Sequence, residues 1–128
     1  MMAAEEFEQL VRGGVERLPA WVRDKIANVA LFIEDEPSEE VRKREKLAPN
    51  ETLLGLYEGV PLTARAYGEG LILPDTITLY RLPIEEVALE DEMDVRDVVA
   101  ETVWHEFAHY FGMDEHEVRL REEERDGR

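Results

Sequence analysis

The segment from Asp94 to Gly112 constrains the fold more than any other part of the chain. Val95, Val98, Val99, Val103 and Phe107, with Thr102 among them, recur at three- and four-residue intervals, the repeat of one face of an α-helix. Asp94 has the short acidic side chain favoured at an N-cap, and Gly112 suits the left-handed residue that closes a helix. The spacing predicts a helix from Val95 to about Phe111. A helix with such an apolar stripe must bury it, so the remaining segments have to supply the surface it packs on.

Those segments are short. Phe7, Leu10, Val11, Val15 and Leu18 predict an amphipathic helix over 5–18, ended by Pro19 and weakened by Gly13 and Gly14. After Trp21, Val22 and Ile26, the run Asn28–Ile33 is apolar and partly β-branched, which predicts a buried strand. Residues 34–51 mix Pro37 and Pro49 with dense charge and read as an exposed connection. Leu53–Tyr57 reads as a second strand, closed by Gly59 and Pro61. Leu71–Leu73 and Thr76–Tyr80 read as a third strand interrupted at Pro74-Asp75, or as two short ones, with an edge position tolerating the proline. Pro83 with Glu85 and Glu86 predicts a short helix over 84–91, and a charged helix is expected over about 115–125. Helix, then strands, then helices implies an α+β fold: a single domain over 1–128, with a three- or four-stranded sheet packed on the 95–111 helix and flanked by others.

Composition narrows the chemistry. A net charge of −16, from 31 acidic and 15 basic residues, repels nucleic acid and anionic membrane, so neither is expected as a partner. There is no cysteine, which removes disulfides, thiolate metal ligands and a cysteine nucleophile together. The N-terminal residues Glu5, Glu6 and Glu8 fall where a signal peptide needs basic and then apolar residues, and no apolar run approaches a membrane span. A soluble, cytoplasmic protein is the expectation. Gln9, Asn28 and Asn50 are the only amides while 36% of residues are charged, a balance that leans toward heat adaptation.

Within the long helical segment lies His105-Glu106-Phe107-Ala108-His109, the pattern H-E-x-x-H. Four residues at about 100° each return to within about 40° of the starting direction and rise about 6 Å, so both imidazoles can reach one ion from adjacent turns. Neutral imidazole suits zinc, and two His plus one carboxylate leave a fourth tetrahedral position for water. Glu106 would stand beside that water as a proton acceptor. A chance occurrence on a charged helix is the bland reading, but two of the chain's three histidines fall in the pattern. One zinc ion per chain is expected. Gly112 lets the chain turn back after the helix, and the tenth residue after His105 is Glu115, the favoured third ligand. Asp114 and His116 are the neighbouring alternatives, each otherwise a solvated residue at the start of the last helix.

These residues, together with Leu54-Gly55-Leu56-Tyr57-Glu58-Gly59-Val60-Pro61-Leu62 and Leu73-Pro74-Asp75-Thr76-Ile77-Thr78-Leu79-Tyr80, give the chain a sequence that resembles the minimal zincins. These are small bacterial proteins described as zinc metallopeptidases, and the resemblance covers most of the chain. It implies a zincin-like fold, a small sheet on the active-site helix, and a cleft where an extended peptide lies along an edge strand. It also implies hydrolysis of peptide bonds in a peptide or unfolded protein, with zinc on His105, His109 and Glu115 and with Glu106 as general base. In the extended zincin pattern the third ligand is His, whereas this chain has Glu115 there. Met113 falls inside the motif, so no separate methionine turn is available, and Glu122, Glu123 and Glu124 are the remote alternatives for a downstream ligand.

Amide hydrolysis also needs a donor for the developing oxyanion. Tyr57, Tyr80, Tyr110, Arg81 and His116 qualify by type, although packing is the plainer role for each tyrosine, and Trp104 reads as core. Two other functions compete: a zinc-stabilised structural or peptide-binding protein without catalysis, and a zinc hydrolase of other amides or esters.

Overall fold

The computed structural model describes residues 3–59 and 75–110. The N-terminal amphipathic segment forms α1 (Ala4–Glu16), burying Phe7 and Val11. Pro19 follows the end of α1, as expected. It serves as the N-cap of a second short helix, α2 (Ala20–Lys25), where the sequence suggested only an approach to a strand. Val22 and Ile26 lie four residues apart, so one turn of helix turns both into the core, where they are 0% and 6% exposed.

Strand β1 (Ala30–Glu34) follows, then helix α3 (Glu39–Arg44) inside the segment expected to be an exposed connection. The helix forms for local reasons. The Ser38 hydroxyl accepts the Val41 N–H at 3.2 Å, Glu39 and Glu40 fill the first turn, and Arg42, Lys43 and Arg44 fill the last. The Arg42 guanidinium then ties down the following loop by donating to the carbonyls of Ala48 and Glu51, each at 2.8 Å.

Among the described residues, strands β2 (Gly55–Glu58) and β3 (Thr76–Tyr80) join β1 in a three-stranded mixed sheet of order β1-β3-β2. Strand β3 is therefore central rather than at an edge. It pairs parallel with β1, from Ala30↔Thr76 to Glu34↔Tyr80, and antiparallel with β2, from Gly55↔Leu79 to Glu58↔Thr76. The central place is open to it because the strand starts after Pro74-Asp75, and no proline interrupts Thr76–Tyr80. Strand β1, expected to be buried, lies at an edge with Leu31 38% and Phe32 53% exposed. The expected segment Leu71–Leu73 and the expected helix over 115–125 lie outside the described residues.

Helix α4 (Arg81–Glu90) starts directly after β3, three residues earlier than Pro83 suggests. Pro83 falls in the first turn, where its missing N–H has no helical partner to lose. Helix α5 (Val95–Tyr110) then packs against β2 and β3. The fold is α+β, and its core lies between α5, α1 and the sheet face bearing Ile77 and Leu79. Among the described residues, no helix is long and apolar enough to cross a membrane.

Candidate active site

Helix α5 is fixed at its N-terminus by Asp94, as its sequence predicts. The Asp94 carboxylate accepts the Arg96 N–H at 2.8 Å, and its carbonyl accepts the N–H groups of Asp97 and Val98. The Arg96 guanidinium also donates to both carboxylate oxygens, and these bonds hold the Asp94 carboxyl well below the usual carboxylate range. Val99 and Val103 are fully buried on one face, and Trp104 and Phe107 are each 2% exposed. Trp104 belongs to the core, edge-on to Trp21 with ring centroids 5.8 Å apart.

That buried face sets the direction of the remaining side chains. His105 and Glu106 are half-buried and His109 is exposed. The two imidazole centroids lie 6.1 Å apart at an interplanar angle of 54°. Rings so spaced stand close enough to be directed toward one ion after small side-chain rotations, and neutral imidazole nitrogens are suitable zinc donors. Among the described residues, no group of three or more His, Cys, Asp or Glu side chains is arranged to hold a metal. Glu115, Asp114, His116, Glu122, Glu123, Glu124 and the helix-closing Gly112 all lie outside the described residues.

Glu106 is tied to the sheet. Its Oε1 accepts the Tyr57 backbone N–H at 3.0 Å, across 49 positions of sequence. The direction of that N–H follows from the ladder. Tyr80 N–H donates to the Leu54 carbonyl, so alternation turns Leu54 and Leu56 toward β3, and Gly55 and Tyr57 toward the outer edge of β2. One outward N–H of this edge strand therefore fixes the carboxylate beside the two histidines. Burial pushes the Glu106 carboxyl above its ordinary value, opposed by the Tyr57 N–H and by the charges of His109 and His105.

A cleft of about 410 Å³ opens beside His105 and Glu106. Leu53, Leu54, Val87, Met93 and Val98 supply an apolar wall, and Asp91 and Glu101 add negative charge. The residues proposed by type as oxyanion donors have other places. The Tyr57 hydroxyl donates to Asp75 Oδ2 at 3.1 Å. Tyr80 is 1% exposed and shares a sheet face with Thr78, turned away from Ile77 and Leu79. Arg81 pairs with Asp35 at 3.0 Å and lines a different depression, beside Leu31 and Phe32. His116 and the side chain of Tyr110 are outside the described residues.

Sequence reasoning missed the Tyr57 N–H as the partner of Glu106. No side-chain pattern announces a backbone donor, and only the strand register directs it.

A small mixed sheet packed on a helix that bears H-E-x-x-H has the architecture implied by the resemblance to zincins. A family model described as zincin-like metallopeptidase matches residues 26–125, and the chain belongs to that family. Comparison with curated proteins finds no match.

Proposed function

We propose that the protein is a zinc-dependent metallopeptidase acting on peptides or unfolded protein. The observation that carries this reading is the Glu106 carboxylate, held by Tyr57 N–H where Glu106 and His105 line the cleft. His105 and His109 would hold one zinc ion, with Glu115 as third ligand and Asp114 or His116 as alternatives to it. When bound, zinc would lower the pKa of a coordinated water toward about 7 and polarise the scissile carbonyl.

The protein's own groups supply the remainder. Glu106 is the general base: burial raises its proton affinity, and one oxygen is fixed by Tyr57 N–H, leaving the other to take the proton and pass it to the departing amine. With the Tyr57 N–H held by Glu106, the outward backbone groups of Gly55 would offer an extended peptide a place to pair along β2. The apolar wall of the cleft would receive one of its side chains.

The test compares zinc-loaded parent and Glu106→Gln against a mixed unfolded-peptide library near neutral pH, with a chelator control. The substitution keeps shape and both histidines, so zinc content should remain near one per chain. Chelator-sensitive cleavage should fall by about a hundredfold to ten-thousandfold. Equal cleavage by both proteins refutes Glu106 as base, and no cleavage by the parent on any substrate refutes the peptidase reading.

A further inference from the structure

Among the described residues, strand β1 leaves one side of the sheet open. It is the edge strand opposite β2, and among the described residues nothing pairs with its outer side. Ala30 N–H donates to the Asp75 carbonyl, so Ala30, Phe32 and Glu34 turn their backbone groups toward β3, and alternation turns those of Leu31 and Ile33 outward. Natural edge strands are usually guarded by lysine, proline or a bulge. Ala30–Glu34 has none of these within it, and its one charged residue, Glu34, stands at its end. Its two exposed apolar side chains lie on opposite faces of the sheet: Leu31 shares a face with Ile77, and Phe32 shares the other with Thr78.

The charge distribution is uneven in the same place. In a chain of net charge −16, residues 26–33 form the longest run without Asp, Glu, Lys or Arg. Arg23, Asp24 and Lys25 precede the run at the end of α2, and the three acids Glu34, Asp35 and Glu36 follow it. A strand whose apolar run ends in three acids sets those acids against uncharged residues, and not against one another, when it pairs with a reversed copy.

We propose that β1 is a self-association edge, on which a second copy of this chain pairs antiparallel about a two-fold axis at Phe32, joining the two sheets into one. In this register Leu31 of each copy exchanges both backbone hydrogen bonds with Ile33 of the other. Phe32 faces its own counterpart in the narrow, non-hydrogen-bonded position, with Cα atoms about 4.5 Å apart. Glu34 falls opposite Ala30, and Asp35 opposite Val29. The two Glu34 residues stand four residue steps apart, about 13 Å, beyond the screening length of about 10 Å at 0.1 M salt. A parallel arrangement would instead set Glu34 beside Glu34 and Asp35 beside Asp35. Reversal is thus the pairing that the charges favour. Two five-residue strands make a small contact, so the dimer should form in proportion to concentration rather than at all dilutions.

The test needs neither zinc nor activity and stands apart from the proposed function. Sedimentation velocity on the full chain should show a monomer at low concentration and a dimer growing in up to several hundred micromolar, on the order expected for a small interface. Because the parent has no cysteine, Phe32→Cys introduces a single reporter at the axis. The expected Cα separation lies within the roughly 4.4–6.8 Å span of a disulfide. Mild oxidation should convert Phe32→Cys to a covalent dimer at least about tenfold faster than Leu89→Cys, whose position is 81% exposed on α4. Phe32→Lys, which sets two like charges at the axis, should weaken association at least about tenfold while keeping the parent's circular dichroism. A monomer at every concentration overturns the proposal. So does cross-linking of Phe32→Cys no faster than Leu89→Cys, including the case where Phe32 meets a different protein instead.

Discussion

Replacing Gly55 by alanine tests how closely β2 must approach the helix that carries the site. A Cβ at Gly55 would lie 2.8 Å from Thr102 Cγ2, 3.2 Å from the Thr78 carbonyl oxygen and 3.3 Å from Leu79 Cδ2. None of these yields readily. The Thr102 side chain is held by its hydroxyl, which donates to the Val98 carbonyl at 2.7 Å, and Thr78 and Leu79 belong to the central strand. Overpacking of this kind costs about 1–3 kcal/mol, and the lower entropy of the unfolded alanine chain offsets about 0.4–1 kcal/mol. The net expectation is a loss of about 1–2 kcal/mol, lowering Tm by about 3–8 °C for a domain of this size. Urea unfolding measures it directly. Thr102→Ser removes the offending methyl while keeping the hydroxyl bond, so in Gly55→Ala/Thr102→Ser part of the loss should return, as a favourable coupling of about 1 kcal/mol. Tyr57 is two residues along β2, so Gly55→Ala should also lengthen its 3.0 Å bond to Glu106. If Gly55→Ala is as stable as the parent, or the two substitutions are additive, the Gly55–Thr102 contact does not set the strand-to-helix distance.

Gly14→Ala should destabilise by about 1–2 kcal/mol, because its Cβ would lie 2.7 Å from the Arg96 carbonyl oxygen and 2.8 Å from Val99 Cβ, forcing α1 from α5. Gly13→Ala meets only the exposed Arg96 side chain, at 2.9 Å, and no backbone, so urea midpoints should show a smaller loss than at Gly14; a larger loss at Gly13 than at Gly14 would contradict the packing. Burial, and then the charges of Glu34 and Glu58, push the Tyr80 hydroxyl up to about 12 from 10.0. The unfolded chain ionises first, so this contribution is complete below pH 10.0 and is lost as pH rises toward about 12. Tyr80→Phe should therefore show a shallower alkaline fall in urea midpoint than the parent, and equal slopes would refute the assignment. For the proposed metal site, His105→Ala should abolish stoichiometric zinc, and Glu115→Ala should weaken zinc affinity severely while Asp114→Ala does not; the reverse order would move the third ligand to Asp114.

What the sequence alone determined is what neighbours within a turn or two decide. The apolar spacing of Val98, Val99, Val103 and Phe107 identifies α5, and Asp94 caps it because its carboxylate reaches an N–H two residues away. The i, i+4 spacing of His105 and His109 brings the rings together without help from the rest of the fold. Helix ends made by unusual residues were not legible. Lys46 and Glu92, which close α3 and α4, have φ of 56° and 53°, and neither is the glycine that normally marks such a position. Strand order was not legible either: the first strand reads as buried and the third as suited to an edge, and only the pairing reverses both by putting β3 between β1 and β2. Gly13 and Gly14 read as flaws in a helix until α5 is packed against them. The hold of Tyr57 on Glu106 belongs wholly to the tertiary structure, because a backbone N–H carries no sequence signature and its direction depends on a register set by β3. Local periodicity chose the residues of the candidate site, and long-range pairing decided which neighbours they meet.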